Sequence, residues 1–253
     1  MTADDRHDNT PAPDPGSDPG RSPRGLPRSV ALLAAGVIAL AIASIFFSMR
    51  GNGGDTGVLV DDDFSEAAEH WNLDSHQGIT SSIEEGAYTV SLSETDLGFL
   101  DSVTFADATE YPAVRIESSV AFEQVADGAN VGLACISNPG DGESLTGIFG
   151  RYEATIDLDG HAIVERFINS DTVTVEEVES PVRLDESGTN DLALECRFDN
   201  EIASIRLTLN GDEIIDVENE TSLVGYEGAG MVANTMGAGL EVTFDHLTAS
   251  SID

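Results

Sequence analysis

The chain has 253 residues, of which 47 are Asp or Glu and 11 are Lys or Arg, so its formal net charge is −36 at pH 7. This charge excludes a nucleic-acid-binding surface, which needs clustered cations. Every cation is an arginine, so the lysine of a P-loop is absent as well. The whole acidic excess follows residue 50. Such an excess is typical of a solvated surface in a salty medium outside the cell. It would also attract a basic partner, but we prefer the interpretation as a solvated surface.

Residues 1–28 predict a disordered tail. They are rich in Pro, Asp and Gly and contain almost no large apolar side chain. Such a segment cannot bury enough apolar surface to offset the entropy that it would lose on ordering.

Residues 29–49, "SVALLAAGVIALAIASIFFSM", predict a transmembrane helix because they contain no charge. About 20 helical residues at 1.5 Å each span the hydrocarbon core of roughly 30 Å. Arg21, Arg24 and Arg28 precede the span, whereas only Arg50 follows it closely. The positive-inside rule therefore places the tail in the cytoplasm and the rest of the chain outside the cell.

A cleaved secretory signal is the alternative to a retained anchor. The "AIA" of residues 41–43 has the small-x-small form of a cleavage site, but the apolar run continues through Phe47 and the leader is long. We favour the anchor, and both interpretations place the large domain outside the cytoplasm. A stripe of small residues would permit weak helix-mediated self-association, and it consists of Ala31, Ala35, Ala39 and Ala43.

A glycine-rich linker, residues 50–57, leads into a domain that spans residues 58–253 and predicts only β-strands. Runs such as "YTVSL", "AVRIESSVAFE", "NVGLACIS", "HAIVERFI" and "ASIRLTLNG" alternate with period two and are separated by turn signals. The segment "LTLNGDEIIDV" predicts a hairpin, since Asn-Gly supplies the positive φ angles of a type I′ turn. Many short strands at regular spacing indicate a sandwich or a barrel.

This domain resembles the concanavalin A-like lectin/glucanase superfamily, including its laminin-G-like and keto-disaccharide-hydrolase-like domains. The resemblance covers roughly residues 58–250 and is carried by "DDDFSEAAEHW", "NVGLACIS", "YEATIDLDG", "DLALECRF", "IRLTLNGDEIIDV", "GYEGAGMVA" and "EVTFDHLTA". It implies an all-β jelly-roll β-sandwich. Because the superfamily contains glycan binders, glycanases and adhesion modules, the resemblance implies no single activity.

The run "RYEATIDLDG", residues 151–160, is where the glucanases of this superfamily carry carboxylates at i, i+2 and i+4. Here Thr155 occupies the middle position, and Glu153 and Asp157 lie about 13 Å apart along an extended strand. Glycosidases place their carboxyl pair about 5–9.5 Å apart. Asp157 and Asp159 are close enough, but nothing apolar beside them in sequence would raise a pKa. We therefore predict a half-buried strand with a solvated acidic face, and we assign no catalytic residue.

Aromatic platforms for sugar rings are scarce, because the chain contains one Trp and four Tyr. Trp71 lies in the opening motif, where we expect it to pack in the core. Weak glycan binding through end loops such as "SNPGDGESLTG" remains compatible with this composition.

Cys135 and Cys196 predict a disulfide. Each shares the apolar face of a strand with hydrophobic neighbours, in "VGLACIS" and "LALECRF", and a domain outside the cell lies where disulfides persist. Two free buried thiols are the alternative.

A structural Ca²⁺ site is predicted at the ends of the domain. "DDD", residues 61–63, opens the first strand and Asp245 lies in the last, and terminal strands are usually neighbours in jelly rolls. Asp63 and Asp245 would supply the hard oxygen ligands that Ca²⁺ prefers. A charged strand end is the simpler alternative, to which we give more weight, and no other cofactor is indicated.

The sequence thus predicts a single-pass membrane protein that presents one β-sandwich outside the cell. We expect a non-catalytic glycan-binding, adhesion or scaffold module, with a glycoside hydrolase-like enzyme as the alternative. A groove that holds a carboxylate pair and an aromatic side chain would favour the enzyme, and a groove lacking both would favour the binder.

Overall fold

The computed structural model describes residues 57–65, 71, 73, 75–105, 111–137, 150–169, 171–223 and 225–253. The predicted tail, transmembrane helix and alanine stripe lie outside these residues. Among the described residues, no helix combines the length and the apolar content that crossing a membrane requires.

The described residues form β-strands in chain order, joined by turns and loops. Their bounds are β1 Val58–Asp62, β2 Ser75–His76, β3 Ile79–Glu84, β4 Ala87–Leu92, β5 Leu97–Thr104, β6 Ala113–Gln124, β7 Asn130–Ser137, β8 Gly150–Asp157, β9 His161–Ile168, β10 Asp171–Glu179, β11 Thr189–Asp199, β12 Ile202–Leu209, β13 Asp212–Glu220, β14 Gly228–Thr235 and β15 Leu240–Ser251.

The strands build two antiparallel sheets. The large sheet has the order β13-β12-β11-β6-β15-β4-β3-β2, with β1 paired to the second half of β15. The small sheet has the order β10-β9-β8-β7-β14-β5. The predicted all-β sandwich is therefore confirmed for the residues that the structure describes.

The core fills the space between the two sheets because alternate side chains of each strand point inward. On β7 and β8 these are Val131, Leu133, Tyr152, Ala154 and Ile156, all fully buried. One apolar cluster contains inward side chains from both sheets, so the domain has a single continuous core.

A disulfide joins the two sheets through this core. Cys135 on β7 and Cys196 on β11 are bonded, their Cα atoms are 6.6 Å apart, and both side chains are fully buried. The predicted bridge is confirmed, because period-two alternation had placed both thiols on inward faces.

Two further local predictions are confirmed. Asn210 and Gly211 have φ angles of 54° and 86°, as the tight turn between β12 and β13 requires. Trp71 packs in the core against Phe64 and Tyr88, with ring centroids 5.6 and 5.5 Å away, and its Nε1 donates to Asp62.

Candidate functional site

The small sheet turns one face to the core and the opposite face, called here the outer face, away from it. Residues directly opposite on neighbouring strands share a face, so the strand register maps the outer face. One row across it contains Glu165, Glu153, Ala134 and Gly230, on β9, β8, β7 and β14 respectively. The four residues come from distant parts of the chain and meet only in the sheet.

The centre of the outer face carries mostly small residues. Four of its six residues on β7 and β14 are Gly132, Ala134, Gly228 and Gly230, whereas Val232 lies opposite Gly132 and Ile136 lies opposite Gly228. A Cβ atom on Gly132 would lie 2.0 Å from the carbonyl oxygen of Ala154, so the backbone packing disfavours any larger residue there. We call this strip of mostly small residues along β7 and β14 the trough.

Apolar side chains also lie along the trough, with Ile136 at one end of it. Ala134, Ile136 and Val232 form a second buried hydrophobic cluster, separate from the main core, and Leu100 packs against it. Ala134 and Val232 are 0% and 1% exposed although they lie on the outer face. The neighbouring carboxylates therefore lie in a largely desolvated environment.

The β8 flank carries a carboxylate pair. Glu153 lies directly opposite Glu165 in the antiparallel register, where Cβ atoms are about 4.5–5.5 Å apart. Arg151 donates from Nε to Oε1 of Glu153, whose side chain is 8% exposed. Burial raises the pKa of the Glu153 carboxyl above its ordinary value, the charge and hydrogen bond of Arg151 oppose this rise, and the charge of Glu165 adds to it.

The predicted solvated face of residues 151–160 is therefore wrong for Glu153 and Thr155. Glu153 and Thr155 are 6% and 8% exposed, and both are buried. Alternation correctly assigned which residues share a face, but it carried no information on whether that face meets water. The partner Glu165 was missed as well, although the "DLDG" turn ties β8 to β9 and its register would have paired Glu153 with Glu165.

An aromatic side chain completes this flank. Phe167 lies opposite Arg151, and the guanidinium carbon lies 3.9 Å from the ring centroid. This distance is well within the range of a cation–π contact. One face of the ring is therefore covered by the same arginine that holds Glu153.

A polar row crosses the opposite end of the trough. Asn234 on β14 donates from Nδ2 to Oδ1 of Asn130 on β7 at 2.9 Å, and Asp157 on β8 lies opposite Asn130. All three are half-buried. No other described hydrogen bond uses Nδ2 of Asn130 or Oδ1 of Asn234, so this amide pair presents one donor group and one acceptor atom.

The remaining residues considered from sequence lie elsewhere. Asp157 accepts the backbone N–H groups of Asp159 and His161 at 2.9 Å, which fixes the turn after β8. Asp159 is exposed on that turn, so it does not join the outer face. The predicted binding loop "SNPGDGESLTG" falls almost wholly outside the described residues.

The predicted calcium ligands lie near the β1–β15 pairing. Asp63 follows β1, and its Oδ1 accepts the backbone N–H of Ser65 at 3.0 Å; hydrogen bonds from Ser65 lower the pKa of the Asp63 carboxyl. Asp245 is exposed on β15. Within the described residues, no three acidic, His or Cys side chains are grouped so as to hold a metal ion. The Ca²⁺ site stays a prediction.

Comparison with known proteins assigns a fold. No family model matches the chain, and no curated protein matches it. An endo-1,3-β-glucanase from Streptomyces sioyaensis is 14% identical, with a TM-score of 0.55 over 81% of this chain and 100% of the glucanase. A structure from work on endo-acting O-glycanases that human gut microbiota express to initiate mucin breakdown is 12% identical, with a TM-score of 0.52 over 78% and 100%.

A binding module has the same fold. The CBM2 module of the evolved Dit protein of Lactobacillus casei BL23 phage J-1 is 10% identical, with a TM-score of 0.51 over 78% of this chain and 97% of the module. At these identities the likeness establishes the fold alone. The described domain therefore shares its β-sandwich fold with these three proteins.

Proposed function

We propose that this chain is a membrane-anchored, single-pass protein whose jelly-roll β-sandwich binds glycans outside the cell through the outer face of the small sheet. The observation that carries the proposal is the half-buried amide pair of Asn130 and Asn234 at the end of the glycine-floored trough. The similarity to glycan-active and glycan-binding sandwiches supports the same reading.

The chemistry of the amide pair suits sugar hydroxyl groups. Each hydroxyl both donates and accepts, and the pair offers an N–H donor beside a carbonyl acceptor. Ligand sites are typically concave, with a few placed polar groups beside an apolar lining. The outer face places Val232 in the row next to this amide pair and Ile136 at the far end of the trough.

Glycan-array binding by the purified full-length chain tests the proposal. We expect binding to at least one oligosaccharide class, and a loss of at least about tenfold in the Asn130→Ala, Asn234→Ala double variant, since ligand hydrogen bonds contribute about 0.5–1.5 kcal/mol each. An array on which no saccharide binds would refute the proposal.

A matched control exists on the large sheet. Thr89 and Thr243 are paired through their hydroxyl groups at 3.3 Å across β4 and β15, on the face away from the core. The Thr89→Ala, Thr243→Ala double variant also removes one cross-strand polar pair, but from the other sheet. It should bind glycans like the parent chain, and an equal loss in both double variants would indicate a global effect on folding instead of a site.

A glycoside hydrolase is the second candidate, because the outer face holds the carboxylate pair Glu153 and Glu165 beside Phe167. A retaining glycosidase places its two carboxyl groups about 5–5.5 Å apart, and two Glu side chains whose Cβ atoms are cross-strand neighbours, about 4.5–5.5 Å apart, can bring their carboxyl groups to this separation. The Arg151 contact argues for binding instead, because it occupies an oxygen of Glu153 and covers one face of the Phe167 ring.

Turnover distinguishes the two candidates. A hydrolase would release reducing ends from an oligosaccharide that the chain binds, and it would lose this activity in Glu153→Gln while keeping affinity. A binding module would release none, and Glu153→Gln would leave the reducing-end assay at background. The assay uses saccharides that score on the array, so a lack of turnover cannot be confused with a lack of binding.

A further inference from the structure

The outer face carries an excess of negative charge, and we propose that it selects glycans by charge. It accepts neutral sugars, prefers hexosamines with a free amino group, and rejects uronic, sialic and sulfated sugars. This inference rests on the proposed function, because it names the ligand class of the same site. The inference is based on which charged side chains of β8, β9 and β10 lie on this face and which of them have a partner of opposite charge.

The arginine and histidine side chains of this face already have acidic partners. Arg151 donates from Nε to Glu153 and lies over the ring of Phe167. His161, at the start of β9, contacts Oε1 of Glu177 on β10 at 2.6 Å. The carboxylate or sulfate of an acidic sugar would meet each of these groups beside its carboxylate partner, whose negative charge offsets the attraction.

The arginine next to Glu165 on β9 does not lie on the outer face. Arg166 lies one residue after Glu165, so it projects from the opposite face of the strand. There it donates to Oδ1 of Asn219 at 2.8 Å and to the carbonyl oxygen of Glu220 at 2.6 Å, both on β13. It therefore does not offset the acidic groups of the outer face.

The anions of this face are in excess. Glu165 takes part in no ion pair among the described residues and is half-buried, and the described hydrogen bonds to the Asp157 carboxylate all come from backbone N–H groups. Desolvation is the largest cause that raises the pKa of the Glu153 carboxyl, and the negative charge of Glu165 raises it further, so the two carboxylates repel each other. An ammonium group beside Glu165 would relieve this repulsion, and an anionic group would increase it.

The expected discrimination is large enough to measure. Two unit charges about 5 Å apart interact by roughly 1 kcal/mol in water and several times more in a partly desolvated site, so one charged group should change affinity by about fivefold to a hundredfold. The amide pair of Asn130 and Asn234 carries no charge and lies two rows from Glu165, so it contributes equally to all three ligand classes.

The experiment compares three saccharides of similar length on the purified full-length chain by calorimetry: a chitosan oligomer, a chitin oligomer and an oligoglucuronate. We expect the chitosan oligomer to bind at least about fivefold more tightly than the chitin oligomer, and the oligoglucuronate to bind at least about fivefold more weakly. Glu165→Gln should abolish the preference for the amine, so that the chitosan and chitin oligomers bind it with similar affinity. Glu165→Thr, which suits a strand, should have the same effect.

The control removes the same charge elsewhere. Glu218 is exposed on β13, opposite Ser204 in the large sheet. Glu218→Gln should keep the preference for the amine, which distinguishes a local effect from attraction by the net charge of −36. An unchanged preference in Glu165→Gln, an equal loss in Glu218→Gln, or an oligoglucuronate that binds as tightly as the chitin oligomer would overturn the inference. Failure of all three saccharides and of the array would refute the proposed function itself.

Discussion

Removal of the Cys135–Cys196 bridge is expected to lower the free energy of unfolding by about 4 kcal/mol. The two cysteines are 61 residues apart in sequence. On the chain-entropy relation a loop of this length restricts the unfolded chain by about 14 cal/mol/K, which is about 4.3 kcal/mol at 25 °C. In a domain of this size, each kcal/mol corresponds to about 2–4 °C in Tm, so the expected decrease is roughly 8–16 °C.

Calorimetry and urea denaturation of three variants measure this loss: Cys135→Ala, Cys196→Ala and the double variant. Either single change breaks the bridge, so each should lose nearly the whole entropic contribution. The second change should then cost only about 1 kcal/mol for the other buried sulfur. The three losses must therefore be strongly non-additive.

Additive losses, or variants that all remain within about 1 kcal/mol of the parent, would refute the chain-entropy argument. Such a result would mean that the unfolded chain is already held compact near residues 135 and 196, so that the bridge restricts it little.

The remaining predictions concern burial, packing, metal binding and topology. Burial raises the pKa of the Glu153 carboxyl in the folded chain, so the folded chain binds the carboxyl proton more tightly than the unfolded chain does. Protonated Glu153 therefore stabilises the folded chain at low pH, and this stabilisation is lost as pH rises through the folded pKa. The stability of the parent relative to Glu153→Gln should therefore fall from pH 4 to pH 7 in urea titrations, and a flat difference would contradict the burial argument. Gly132→Ala should cost about 1–3 kcal/mol because its Cβ would collide with a carbonyl oxygen, whereas Gly57→Ala, with its nearest contact at 3.4 Å, should be nearly neutral in the same titrations. If Asp63 and Asp245 hold Ca²⁺, EDTA should lower Tm, and a Tm indifferent to EDTA and added Ca²⁺ would exclude the site. Protease added to intact cells should remove residues 60–253, and protection of this domain would contradict the predicted topology.

Local patterns predicted several strands to within a residue. The runs "NVGLACIS" and "HAIVERFI" coincide with β7 Asn130–Ser137 and β9 His161–Ile168. Period-two alternation and turn residues are properties of a few neighbouring residues, so they can be read without knowing the fold. The alternation does not single out β10 Asp171–Glu179, which is almost wholly exposed at the edge of the small sheet and is ordered by pairing with β9.

The glycines of β14 also show the difference between what local sequence patterns predict and what strand pairing decides. The segment "GAGMVA" contains two glycines and two alanines, which have low strand propensity, yet it lies in β14 Gly228–Thr235, paired on both sides by β7 and β5. A Cβ on Gly230 would come within 2.9 Å of the carbonyl oxygen of Asp101 on β5. The close approach of the neighbouring strand explains the glycine, and no sequence pattern states which strand that neighbour is.

The amino-acid sequence alone determined the all-β class, the inward direction of Cys135 and Cys196, and the turn at Asn210, because each depends on alternation or on the backbone preferences of one or two residues. The tertiary structure decided the candidate site. Glu153 meets Glu165 through the register of a hairpin, and Asn130 meets Asn234 across 104 residues of chain. Burial and charge compensation depend on such distant neighbours, so only the packed sheet determines that Glu153 and Thr155 of "RYEATIDLDG" are buried while Asp159 stays exposed.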